Sequence, residues 1–382
     1  MERNSPGLPG GPSKAELLRE RVESAADERS KLAALLSLAR HYVDVGDGVR
    51  GYATALQART MALRLRDFAA ASSAMNSISV SQYNRSEYVS AINTALDAWD
   101  YARRAADVLE FDDSCYSIGL SLFGLGVFDV AEDIVKKGLA TAPKSDGGLE
   151  IRIRLTRLRG IIASANGDME AAERDFDEAI SLAEKSTPTQ REASHALWAI
   201  AWLRQMDEQY AGRPIIPEKL QAAREHLEKA LAIAEEEGDA FLVTDRTAIL
   251  GIVASLQRDW DRAEQLLGHA MDSARSLDYV RASVISTVYL ARLYLDRGDA
   301  ARASTIVRHA IDQALRGAAD DVIVYAREIR ARALEKQGHA KEADRERRLA
   351  EQFLEERQQA RKRSAAEAVR LVAPVVGDAP KA

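Results

Sequence analysis

The chain has little of what most enzymes and secreted proteins are built with. Its 382 residues hold one cysteine, nine prolines and only 6% aromatic residues. A lone thiol, Cys115, excludes an internal disulfide and fits a reducing compartment. No run of about 18 uncharged apolar residues occurs, so no membrane helix is expected. The Pro/Gly tract from Met1 to Ser13 lacks the apolar centre of a secretory signal, and a cytoplasmic location is expected. Long Val, Ile and Thr runs are missing as well, which argues against sheet. The net charge of −6 argues against nucleic acid as a partner. His41, His195, His226, His269, His309 and His339 are scattered, with no pair at helical spacing and no cysteine partner, so no zinc signature exists. Phosphate loop, Gly-x-Ser-x-Gly and dinucleotide fingerprint are all absent. No catalytic residue, no metal and no cofactor are therefore expected, and Cys115 reads as a buried thiol.

What is present is periodic. Ala91, Ala131, Ala172, Ala223, Ala263, Ala303 and Ala343 lie 40, 41, 51, 40, 40 and 40 residues apart. Seven residues after each comes a second small residue: Ala98, Gly138, Ala179, Ala230, Ala270, Ala310 and Ala350. Seven residues are two helical turns, so each pair marks one face on which another helix can approach closely. Turn residues precede most of these alanines, as at Gly126, Gly167-Asp168, Arg258-Asp259, Gly298-Asp299 and Gly338-His339. Glycine there ends one helix and aspartate caps the next. Upstream of the turns stand further small residues: Ala39, Ser79, Gly119, Gly160, Gly251, Ala291 and Ala331. Each unit thus reads as helix A with a central notch, a tight turn, and helix B with a small-residue pair. Such a unit buries little alone and needs its neighbours, as in stacked arrays.

These residues resemble the tetratricopeptide repeat (TPR) pattern. Gly119, Gly126, Ala131, Val135, Gly138 and Pro143 match one repeat, and Gly160, Gly167, Ala172, Phe176 and Ala179 the next. The resemblance covers roughly residues 28–355, with units of about 40 residues in place of the usual 34. Units of that length are similar to those of bacterial regulatory and sensor proteins. The implied fold is all-α: an α-solenoid of about eight TPR-like helix pairs in a right-handed superhelix, ending in a long helix. The expected organisation is a disordered tract at 1–12, one array over 13–371, and a disordered tail at 372–382.

Two departures from the period stand out. The 51-residue step holds an insertion near 207–217, with Gly212-Arg213-Pro214-Ile215-Ile216-Pro217, where continuous helix is forbidden. It reads as a plain loop extension or as a flap that contacts a ligand or second subunit. The last B helix, 339–371, is long and charged. It serves as a cap on the array, as a partner-docking or coiled-coil helix that would make a homo-oligomer, or as a basic patch at Arg357–Arg363.

In a TPR array the inner face comes from helix A at fixed offsets from the turn. Carried onto this chain, those offsets give Asn76 and Tyr83, Tyr116 and Phe123, Arg154 and Arg157, and Trp198 and Trp202 as ligand-binding residues. Arginines and aromatics anchor many binding surfaces, and Arg154 with Arg157 would clamp a carboxylate. The alternative is that the tryptophans are core and that the arginines are balanced by Asp113 or Glu150. The implied function is a non-catalytic scaffold or adaptor whose groove binds a protein or peptide segment carrying an acidic group. A regulatory ligand sensor, passing binding to an output partner through the C-terminal helix, is the other.

Overall fold

A computed structural model describes residues 14–44, 47–210, 212–318 and 322–377. The expected 1–12 tract, and the tail from 378 on, lie outside them. Among the described residues there is no strand. A short α1 (Lys14–Glu23) precedes eight helix pairs. In unit 1 the pairs are α2 (Glu28–Asp44) with α3 (Gly48–Leu65), α4 (Phe68–Asn84) with α5 (Tyr88–Ala105), α6 (Val108–Leu125) with α7 (Phe128–Thr141), and α8 (Leu149–Ala165) with α9 (Met169–Ala183). The others are α10 (Pro188–Met206) with α11 (Pro217–Glu236), α12 (Ala240–Leu256) with α13 (Trp260–Ser276), α14 (Val280–Asp296) with α15 (Ala300–Gln313), and α16 (Ile323–Lys336) with α17 (Ala340–Gly377).

The chain divides into two compact units where one array over 13–371 was expected. Unit 1 comprises residues 1–190 and 362–382, and unit 2 comprises residues 191–361. The core of unit 1 gathers Ile92, Trp99, Ile118, Leu122, Ile134, Leu155 and Leu158. That of unit 2 gathers Leu267, Val284, Val288, Leu293, Val307, Ile311 and Ile329.

The notch pattern works as close packing. A Cβ on Gly119 would stand 2.9 Å from Val135 Cγ2, and one on Gly251 would stand 2.7 Å from Leu267 Cγ. The bulky residue of helix B therefore seats where helix A has no side chain. In α4 serine replaces the glycine, and its hydroxyl is put to use. Ser79 Oγ donates to Ala91 O at 2.8 Å, and Ser72 Oγ to Ala98 O at 2.8 Å. Aspartates at 67, 107, 168, 239, 259 and 299 cap the helices that follow them.

The closing helix differs from its expected bounds. It continues past 371 to Gly377, and Ala368 and Val372 are fully buried in the core of unit 1. Lys137 Nζ donates to Val375 O at 2.6 Å, placing a cation at the helix C-terminus. The described part of the expected tail, 372–377, is therefore packed helix. No described helix is long and apolar enough to cross a membrane.

Candidate functional site

Four A helices of unit 1 bring polar side chains to one place. Asp113, on α6, forms ion pairs with Arg40 of α2 and Arg154 of α8. Burial alone would raise the Asp113 carboxyl, but Arg154 and Arg40 outweigh it and hold the group below the usual carboxylate range. One turn along α6, the Tyr116 ring lies 4.0 Å from the Arg154 guanidinium carbon, a cation–π contact. One turn back, Glu110 is pushed up to about 8 by burial and by Asp113, against Arg40. Asn76 of α4 donates to the Glu110 carbonyl at 3.3 Å and lies 3.4 Å from its Oε2. Asp113 is thus held ionised while Glu110 is shifted toward its protonated form.

Asn76, Tyr116, Arg154 and Arg157 are brought together here, though not as an open clamp. Arg154 and Arg157 are 6% and 7% exposed, which corrects their reading as solvent-facing cations. Arg154 is taken by Asp113, and Arg157 Nη1 donates to Gln190 O at 3.3 Å. The half-exposed rim above this base consists of Arg40, Glu110 and Tyr116.

Tyr83 and Phe123 stand elsewhere, seven residues further along their helices, or about 10 Å. Their rings meet Tyr88 at 5.5 Å and Phe128 at 5.7 Å, so they pack over the A–B turns. Trp198 and Trp202 are a second correction: they are 5% and 7% exposed in unit 2 and pack toward their own partner helix α11. Trp198 stacks on His226 at 4.4 Å, Lys219 lies 4.8 Å from the Trp202 ring centre, and His195 Nδ1 is 2.9 Å from His226 Nδ1. Burial and the nearby His195 lower His226 to about 4, so the His226 imidazole is neutral near pH 7.

Three cations that lie on A-helix faces share one register. Arg40, Arg292 and Arg332 each follow the small residue of their helix, namely Ala39, Ala291 and Ala331. Arg40 was missed because no offsets were carried onto α2. Also unforeseen is Arg246 of α12, paired with Glu192 Oε1 of α10 at 2.5 Å and with Asp245. Cys115 is fully buried, and burial together with Asp112 raises its thiol, as fits an inert side chain. Among the described residues no group of three or more His, Cys, Asp or Glu is placed to hold a metal ion.

No protein-family model matches the chain, and no curated protein matches it. Solved structures do. The apo form of the quorum sensor NprR from B. thuringiensis is similar over 89% of this chain and 92% of that one, at 14% identity and a TM-score of 0.57. The apo form of RapI is similar over 73% of this chain and 96% of that one, at 16% identity and a TM-score of 0.55. At such identities the likeness is one of fold: this chain is a TPR-like α-solenoid.

Proposed function

We propose that the chain is a non-catalytic scaffold that takes a peptide or protein segment along the A-helix faces of its repeats, with a site around Asp113. The carrying observation is the convergence of Arg40, Asn76, Glu110, Asp113, Tyr116 and Arg154 from four helices. A buried ion triad adds little stability over an apolar replacement, so stability alone is a poor reason for building one. Its rim offers a guanidinium, a carboxyl and a phenol, which suit a peptide backbone and polar side chains. An acidic preference finds no support at this site, since Arg154 is already engaged. The use of a similar fold by a quorum sensor agrees with a role in ligand binding.

The test is capture of partners from the source cell's lysate by the intact chain and by the rim variants Arg40→Ala and Tyr116→Ala. Captured partner should fall at least tenfold in either variant while helicity is kept. Equal capture would end the reading. The sensor alternative is favoured by one observation, the packing of Ala365, Ala368, Leu371, Val372 and Val375 on the same core as α5–α8. In a sensor, adding the captured ligand changes amide exchange across 365–375, where those side chains pack; in a plain scaffold it leaves that segment alone.

A further inference from the structure

The described residues of the insertion after α10, 207–210 and 212–216, are held by polar contacts. Asp207 O accepts from the amides of Tyr210 and Gly212 at 3.0 Å each, and Arg213 N donates to Gln205 O at 2.8 Å. Its acidic tip then meets the A helices of the last two repeats, within unit 2. Tyr289 Oη lies 2.6 Å from Asp207 Oδ2 and 2.8 Å from the Gln209 side-chain amide. A phenol has one proton, so Tyr289 donates to Asp207 Oδ2 or to Gln209 Oε1, one at a time. Glu208 Oε1 is 2.8 Å from Arg292 Nη1, 3.2 Å from Arg332 Nη1 and 3.3 Å from Tyr325 Oη.

We infer that the face formed by Tyr289, Arg292, Tyr325 and Arg332 is a recognition surface for an acidic peptide turn, filled in this structure by the chain's own Asp207–Gln209. Three observations carry this. First, the occupant is the one segment by which the fifth repeat exceeds its siblings, 51 residues against 40 or 41 elsewhere, so helix pairing does not require it. Second, the segment is attached through charge and hydrogen bonds and buries little apolar surface at its far end, where Ile215 and Ile216 stay 44% and 42% exposed. Third, the pairs around Glu208 remain within reach of water. The side chains of Glu208 and Arg332 are 34% and 43% exposed, a condition under which one carboxylate can replace another. Two guanidiniums and two phenols without other carboxylates than Asp296 and Glu328 on their own helices form a donor set suited to adjacent acidic side chains. The partner is thus a segment with neighbouring acidic residues in a tight turn, and the insertion is its tethered competitor. Tethering raises the effective concentration of the resident tip to the millimolar range, so a free ligand must bind well to displace it. This inference rests on unit 2 alone and stands or falls apart from the site around Asp113.

The probe is a synthetic peptide with the sequence of residues 204–217, labelled at its end, and the readout is fluorescence anisotropy against the full chain. Unaltered protein should bind it at least tenfold more weakly than the double variant Asp207→Asn/Glu208→Gln, whose resident tip has lost its charge. Adding Arg292→Ala and Arg332→Ala to that variant should remove the gain, and a peptide with Asn and Gln at the acidic positions should not bind. Circular dichroism and melting curves accompany each protein, and Glu208→Gln alone, at a partly exposed site, replaces the double variant if the latter does not fold. Equal binding by unaltered and tip-neutralised protein overturns the inference. So does absence of binding to a folded tip-neutralised protein at about 1 mM peptide, near the effective concentration that the tether supplies.

Discussion

At the scale of single residues, the turns carry strain that can be relieved. Arg66, Ser86, Ala106, Arg258 and Asp278 all have positive φ, between 53° and 62°, where L-residues with a Cβ are disfavoured by about 1–2 kcal/mol. Ala106→Gly should therefore raise unfolding free energy by a net of about 0.5–1 kcal/mol, after allowance for the freer unfolded glycine. A urea titration with an unchanged or lowered midpoint would count against a left-handed Ala106. These residues also explain what the sequence hid. Left-handed positions recur every 20 residues at 66, 86, 106 and 126, but glycine marks only the last of the four. The B–A turns at Arg66 and Ala106 carry no glycine and left no such mark in the sequence. Asp112 is a different kind of strain. It is fully buried, accepts from Thr141 through one oxygen, and its other oxygen has no hydrogen-bond partner. Burial pushes it up to about 7 from 3.8. Below pH 3.8 both folded and unfolded chains hold its proton, and Asp112 has no effect on the pH dependence. Between 3.8 and about 7 only the folded chain keeps it, so stability falls as pH rises, and above that window the loss is complete. Asp112→Asn should accordingly stabilise the protein at pH 8 by on the order of 2 kcal/mol and hardly at all at pH 3.5. Melting temperatures at the two pH values decide it; an equal effect at both would mean that the native carboxyl is ionised throughout.

At the scale of helices, the two glycines at 251 and 268 should answer in opposite directions. Gly251 faces Leu267 Cδ2 at 2.9 Å from where its Cβ would be, whereas Gly268 on α13 has nothing within 4 Å. Gly251→Ala should cost about 1–3 kcal/mol through overpacking. Gly268→Ala should gain about 0.5–1 kcal/mol from helix propensity. If both changes move the urea midpoint the same way, the notch assignment is wrong. The notches were legible because small residues repeat at helical spacing. The end of α17 was legible too, in a signal outweighed by composition. Ala365, Ala368, Leu371, Val372 and Val375 recur every three or four residues, which is a helical stripe, while Pro374 and the small residues after it read as a disordered tail. The stripe prevails because Trp99 and the core of unit 1 receive it and Lys137 meets its last carbonyls. The candidate site was half legible for a related reason. Offsets along helix A do bring Asn76, Tyr116 and Arg154 to one face. Whether a side chain there meets water or an opposite charge is decided by other repeats, and Arg40 and Asp113 stand 73 residues apart.

At the scale of the whole molecule, the periodic sequence reads as one array, yet the cores are gathered in two units. Periodicity describes each repeat's packing on the next and is silent about where the cores gather. In repeat arrays stability is close to a sum of local and nearest-neighbour terms, so damage should stay near its origin. The chain carries its own reporters: Trp99 lies in the core of unit 1, while Trp260 packs against the core of unit 2. Gly119→Leu would drive a branched side chain into Val135 and Leu158, which stand 2.9 and 3.3 Å from the site of its Cβ. We expect this to lower the urea midpoint seen by a protein retaining only Trp99, by the equivalent of about 1–3 kcal/mol. A protein retaining only Trp260 should report a shift less than half as large. Each single-tryptophan background is first compared with itself without the Gly119 change, so that the cost of removing the other tryptophans cancels. Coincident shifts would mean that both cores melt in one cooperative step, and the division of the chain into two units would then have no thermodynamic meaning.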